Sequence, residues 1–186
     1  MKLADKLAET SNRPPSTRRR ILAKVLPFFV YTLFFPVLLF IIPKLYLDRW
    51  FQLPTFLTPV GRGLLGGSLV TIGLIFLFWS IRAQKELGKG TPMPLMATQK
   101  LVVQKPYLYC RNPIFFGVIN LFFGISILFN SISSLVMVCI FSVIILLYTK
   151  LIEEKELETR FGDEYLSYKN RTPFIIPIPK IFRRKK

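Results

Sequence analysis

PIFFGVINLFFGISILFNSISSLVMVCIFSVIILLYT, Pro113 to Thr149, runs for 37 residues without a charged side chain. As one helix rising ~1.5 Å per residue it would be a rod near 55 Å, far longer than a hydrocarbon core of ~30 Å. The run is interrupted at FNSISS, Phe129 to Ser134, by Asn130 and three serines. The stretch therefore predicts a hairpin of two slightly short helices turning near Asn130. A hairpin returns both of its ends to one side of a bilayer. At one end stands Arg111-Asn112 and at the other Glu153-Glu154.

Two further apolar segments lie upstream, VLPFFVYTLFFPVLLFII from Val25 to Ile42 and GLLGGSLVTIGLIFLFWSI from Gly63 to Ile81. Each approaches the ~20 residues a spanning helix needs. The whole chain is 52% hydrophobic and 15% aromatic, with a mean hydropathy of +0.44. A soluble domain of 186 residues has too little interior for that much apolar surface. Lys and Arg fall unevenly around the segments. Seven precede the first, three lie in the first connection, six in the second, and ten follow Thr149. The positive-inside rule then places both termini and the second connection in the cytosol. The fold class predicted is all-α, a polytopic membrane protein with four transmembrane helices, the last two forming a hairpin, plus a cytosolic C-terminal amphipathic helix. Its divisions are a basic cytosolic segment over 1–24, the first two transmembrane helices over 25–81, a core over 82–173 and a basic tail over 174–186.

The net charge of +16 does not point to nucleic acid, because the basic residues cluster between apolar segments rather than interleaving with aromatics on a soluble patch. The partner they suggest is the lipid bilayer itself, whose anionic inner leaflet attracts them. Met1 to Arg20 lacks the apolar core of a cleavable signal. With no histidine, imidazole metal sites and histidine triads are excluded, and Cys110 and Cys139 match no zinc or redox spacing.

Chemistry is confined to two blocks on the cytosolic side. GKGTPMPLMATQKLVVQKPYLYCRNP, Gly88 to Pro113, is rich in glycine and proline and reads as ordered loop. In KLIEEKELETRFGDEYLSYKNRTP, Lys150 to Pro173, Leu157, Phe161, Tyr165 and Tyr168 recur at helical spacing as one apolar stripe. Glu153, one turn before Leu157, should point inward with that stripe, and Glu154, turned about 100° away, is the weaker candidate. A bend is expected near Gly162.

Taken together, LVVQKPYLYCRNPIFFG, the hydrophobic hairpin, and EEKELETRFGDEYLSYKNRTP resemble the isoprenylcysteine carboxyl methyltransferase and phospholipid methyltransferase superfamily. The resemblance covers roughly Leu87 to Pro173. It implies an S-adenosylmethionine pocket with Tyr107, Arg111, Asn112, Pro113 and Gly117 on one wall and Glu153 and Glu154 on the other. Arg111 and Glu153 would be the catalytic pair. The chain departs in three places: Lys105 replaces the motif's glycine, Asn112 the histidine of the prenylcysteine branch, and Phe115-Phe116 the usual tyrosine region. The GKGTPMP stretch is similar to bacterial members, which implies a bacterial inner membrane ahead of the endoplasmic reticulum. The implied cofactor carries an ammonium and a carboxylate. A glutamate suits the first and an arginine or amide the second, most strongly at a dry boundary.

Simpler readings stand beside these. Arg111 would serve as a positive-inside anchor with Pro113 in the first helical turn. Glu153-Glu154 would be helix surface, with Lys150–Glu154 and Glu156–Arg160 as i,i+4 pairs. Gly63 and Gly67 have the spacing of a helix-packing motif, and Tyr109 suits a membrane interface. The function expected is methyl transfer to a membrane-embedded lipid or a prenylcysteine-like acceptor, at a carboxyl or an amine. The alternatives are a nicotinamide-dependent reductase of the sterol-reductase kind and a non-catalytic membrane scaffold or carrier.

Overall fold

The computed structural model describes residues 25, 29–88 and 99–178. The expectations for the basic segment 1–24, for most of the GKGTPMP stretch at 89–98 and for the tail 179–186 lie outside the described residues. Every regular element among the described residues is a helix. Helix α1 occupies residues 29–50, α2 Pro59–Gly88, α3 Pro113–Leu128 and α4 Ile132–Tyr148. The wide turn Thr149–Glu153 then joins α4 to α5, Glu154–Arg171.

Helix α1 is wound more widely than an α-helix. Phe35, Ile42 and Asp48 donate to the carbonyls five residues back, at Val30, Val37 and Pro43. Pro36 and Pro43 lack N–H groups and would leave carbonyls unpaired in a regular ladder; a locally wider turn re-satisfies them, as membrane-depth helices require. The element does not stop at Ile42, as the sequence suggested. It passes through Pro43 and Lys44 to Trp50.

Helices long and apolar enough to cross a membrane are Pro59–Gly88 and the continuous run Ile132–Arg171. Only 17% of each apolar window is buried, whereas the core helix of a soluble protein would be mostly covered. Leu64, Ile75, Val143, Ile144 and Leu147 all face outward. Helix α3 is shorter, at 16 residues.

The hairpin turns where the sequence interrupts it. Asn130 adopts a left-handed backbone, φ 50°, which asparagine tolerates better than most residues. Its side chain closes the turn against the loop after α1: Oδ1 accepts from Phe56 and Leu57 N–H at 3.1 Å each, and Nδ2 donates to the Leu57 carbonyl at 2.8 Å. Ser131 caps α4, accepting from Ser134 N–H at 3.1 Å. Asp48, buried at the end of α1, accepts from Ser133 N–H at 3.0 Å. Burial alone would raise the Asp48 carboxyl, but the Ser131 and Ser133 hydrogen bonds and Lys44 outweigh it and hold it below its usual range.

Helices α2 and α3 cross antiparallel on four glycines. A Cβ on Gly73 would lie 2.5 Å from Leu121 N, and one on Gly117 2.7 Å from Leu77 N. Gly66 and Gly124 meet each other in the same way one level down. Gly63 and Gly67 make no such contact within the chain, since a Cβ at either meets nothing within 4 Å. They sit on the outer face of α2. The inner core joins α1, α3 and α4 through Leu39, Phe40, Val118, Phe122 and Val138, with Phe35 edge-on to Phe141 at 4.9 Å.

Candidate functional site

Opposite the Asn130 end, a second core forms from Ala83 of α2, Val102 and Tyr107 of the loop, and Tyr165 and Tyr168 of α5, with Leu157 and Phe161 packed against it. The stripe read from the sequence thus points inward. What folds it there is Gly162, at φ 50° and ψ −129°, a region open essentially to glycine. A straight rod would separate residues 154 and 169 by about 22 Å. Instead Lys169 Nζ lies 3.1 Å from Glu154 Oε2 and 2.7 Å from Glu158 Oε1. The second half of α5 folds back on the first at Gly162.

That reversal assembles an ionic cluster around Glu154, which is only 2% exposed. Arg111 donates to Glu154 Oε1 through Nε at 2.8 Å, and its second terminal nitrogen lies 2.8 Å from the same oxygen. The first terminal nitrogen donates to the backbone carbonyls of Lys169 at 2.7 Å and Thr172 at 2.9 Å. The Tyr165 hydroxyl is pushed up by burial and then by the Glu154 charge. Lys169 is held above its usual range, first by its hydrogen bond to Glu158.

Glu153 had been expected to meet Arg111; Glu154 meets it instead. Residues three and four positions before Leu157 share its face almost equally, so the apolar stripe cannot choose between them. Partners choose: a buried carboxylate must be paired, and the guanidinium, Lys169 and Tyr165 all converge on Glu154. For the same reason Glu154 turns away from Lys150, whereas the expected Glu156–Arg160 pair forms at 3.4 Å with both side chains buried.

Glu153 sits on the other side of the helix edge, close to Tyr107 and Tyr148. It has no salt bridge to any described Lys or Arg. Burial raises its carboxyl to about 7; the Thr149 hydroxyl pulls the value partly back, and Glu156 pushes it up again. That Thr149 hydroxyl makes no hydrogen bond of good geometry. Tyr107 is 8% exposed, and its hydroxyl has no hydrogen-bond partner. Burial raises its ionisation, reinforced by Tyr168, Cys110 and Glu153. A buried donor left unpaired costs ~1–3 kcal/mol, so the Tyr107 hydroxyl and the Glu153 carboxyl are two buried polar groups with bonding capacity unspent.

The remaining expected residues are distributed as follows. Asn112 precedes α3 but does not cap it; its Nδ2 donates to the Phe174 carbonyl at 2.9 Å. Pro113 occupies the first helical turn and is buried. Gly117, expected on the cofactor wall, lies in the α2–α3 crossing, where its open side meets the α2 backbone. Sequence reasoning missed Lys169, Tyr148 and Gln84, whose Oε1 on the last turns of α2 is buried and unpaired. Only for Lys169 was there a signal, the Gly162 that licenses the fold-back.

Outward-facing helices of membrane length define a helical membrane-associated protein. Residues 62–164 match the family described as phospholipid methyltransferase, more than half of the chain, and the chain belongs to that family. It is by that membership a methyltransferase-class enzyme. No curated protein and no solved structure matches it.

Proposed function

We propose that this chain transfers a methyl group from S-adenosylmethionine to an acceptor embedded in the membrane, a lipid or a prenylcysteine-like molecule. The single observation that carries the reading is Glu153, a buried carboxyl without a cation, at the same end of the fold as the orphaned Tyr107 hydroxyl. Those two groups fit a ligand that brings an ammonium and a hydrogen-bond acceptor. The cofactor's chemistry is a methyl group on a sulfonium, and its amino-acid end carries such an ammonium. Glu153 would pair with that ammonium, and Tyr107 would donate its hydroxyl. Arg111, Asn112, Pro113 and Glu154 would frame the site. Alignment and exclusion of water supply most of what a displacement at carbon needs, so a dry, preformed pocket is the main requirement.

The site lies at the end of α2 and α4 that continues into the polar blocks. We place this end in the cytosol, with four spans, α5 as an amphipathic helix at the surface, and an acceptor arriving laterally from lipid. The basic second connection and the exposed apolar faces of α2 and α4 support that arrangement.

Purified protein in detergent should gain thermal stability with S-adenosylhomocysteine, by about 2.7 kcal/mol at a hundred times its dissociation constant. Incubation with a labelled methyl donor and a total lipid extract, with a prenylcysteine analogue in parallel, should label one acceptor class. Absence of both the stabilisation and the label would overturn the reading.

A further inference from the structure

We infer that Arg111, Asn112, Glu154 and Lys169 form a latch that pins the segment Thr172–Ile178 along the loop carrying Tyr107, and that Arg111 and Asn112 are positioning residues that do not touch the cofactor. The inference rests on the site proposed above. It assigns its two threshold residues a role different from the one the resemblance implied.

A guanidinium offers five N–H donors. Arg111 commits four, two to Glu154 and one each to the Lys169 and Thr172 carbonyls. Its backbone N–H donates to the Pro173 carbonyl at 2.8 Å, and its guanidinium lies over the Phe174 ring at 5.7 Å. Asn112 spends its amide on the Phe174 carbonyl. The contact continues where Ile178 N–H donates to the Tyr109 carbonyl at 3.1 Å. From the same side, the Tyr168 hydroxyl donates to the Tyr107 carbonyl at 2.7 Å. Residues 107, 109, 111 and 112 are therefore each held by residues between 168 and 178.

The ionic part is balanced: Arg111 and Lys169 face Glu154 and Glu158. Two cations against two carboxylates leave no net charge to attract a ligand ion. The consequence of the latch is the placement of Tyr107, whose carbonyl accepts from the Tyr168 hydroxyl.

The test is a double-mutant cycle in the full chain. The segment is loosened by Phe174→Ala with Ile178→Pro, which removes the ring under Arg111 and the N–H given to Tyr109. Binding of S-adenosylhomocysteine and amide hydrogen exchange over residues 107–112 and 168–178 are read in wild type, Asn112→Ala, Arg111→Lys, the loosened chain and the combinations. Each change alone should speed exchange in both stretches without ligand and weaken binding about tenfold, as lost preorganisation does. Asn112→Ala or Arg111→Lys added to the loosened chain should weaken it no further. Multiplying losses, or unchanged exchange in the single variants, would overturn the latch. Decarboxylated S-adenosylhomocysteine supplies the second arm: a latch makes Arg111→Lys weaken both ligands by the same factor, whereas a direct contact to the carboxylate spares the decarboxylated one. Should the doubly loosened chain fail to fold, Ile178→Pro alone takes its place. If wild type binds neither ligand the cofactor reading fails, and hydrogen exchange in the unliganded variants still decides the latch.

Discussion

Glu153 and Glu154 are adjacent, identical in chemistry and both near the same apolar stripe, yet the structure separates their roles by partner. Glu154 is neutralised within a buried pair, and removing one member of such a pair leaves an uncompensated charge at a cost of about 3–5 kcal/mol. Arg111→Ala should therefore lower the thermal midpoint of the unliganded protein severely. Glu153 behaves oppositely. Its carboxyl titrates at about 7 in the folded protein against an ordinary 4.5. The folded state thus holds a proton that the unfolded chain has already released, and stability falls as pH rises from about 4.5 to about 7, then levels. Glu153→Gln should flatten that fall and raise the midpoint at pH 8. The same substitution should abolish stabilisation by S-adenosylhomocysteine, and in wild type ligand affinity should decline as pH drops below about 7, where the carboxyl is protonated. A midpoint for Glu153→Gln that tracks wild type from pH 4.5 to 8 would refute this account. The sequence pointed to Glu153 as the inward-facing candidate but not to the division of partners, because a residue's burial cost depends on which cations reach it. Those cations come from 43 and 15 residues away.

Elements were legible where their signal was local. The 37-residue apolar run, the Asn130 turn, Pro113 at a helix start and the Leu157–Tyr168 stripe are all written in spacing and turn chemistry, and each has its physical counterpart in the fold. Crossings between helices are not local. Gly63 and Gly67 have the familiar four-residue spacing but face outward, while Gly66, Gly73, Gly117 and Gly124, spaced at seven, form the actual contact. Choosing between the two sets requires knowing that α2 and α3 run antiparallel in register. Gly73→Ala should force the helices apart, because its Cβ would strike backbone rather than a movable side chain. Gly67→Ala should be neutral or stabilising by up to ~1 kcal/mol through helix propensity. Equal midpoints for the two variants would contradict the crossing described. At Gly162 a Cβ meets open space, so Gly162→Ala tests backbone strain alone. It should cost ~1–3 kcal/mol and separate Lys169 from Glu154, seen as a loss of thermal stability that Gly67→Ala does not share.

For the whole molecule, the distribution of charge and the geometry make one joint demand. Seven and six basic residues flank the first two apolar segments on one side, three lie between them, and the structure puts the loop after α1 against Asn130 while the ionic cluster forms at the opposite end. If four helices cross the bilayer, Lys105 and Gln52 must lie on opposite faces, and both are exposed. With the two native cysteines replaced by serine, Lys105→Cys should react with a membrane-impermeant thiol reagent only from the cytosolic side, in inverted vesicles, and Gln52→Cys only from the other. The extension of α1 through Lys44 and Asp48 sharpens this test, because it carries a charged pair beyond the apolar segment, where water or headgroups must meet it. Labelling of both cysteines from one side would mean that α2 does not cross. The ionic cluster and Glu153 would then need a different route to a membrane acceptor, and the lateral path proposed here would be lost with the topology.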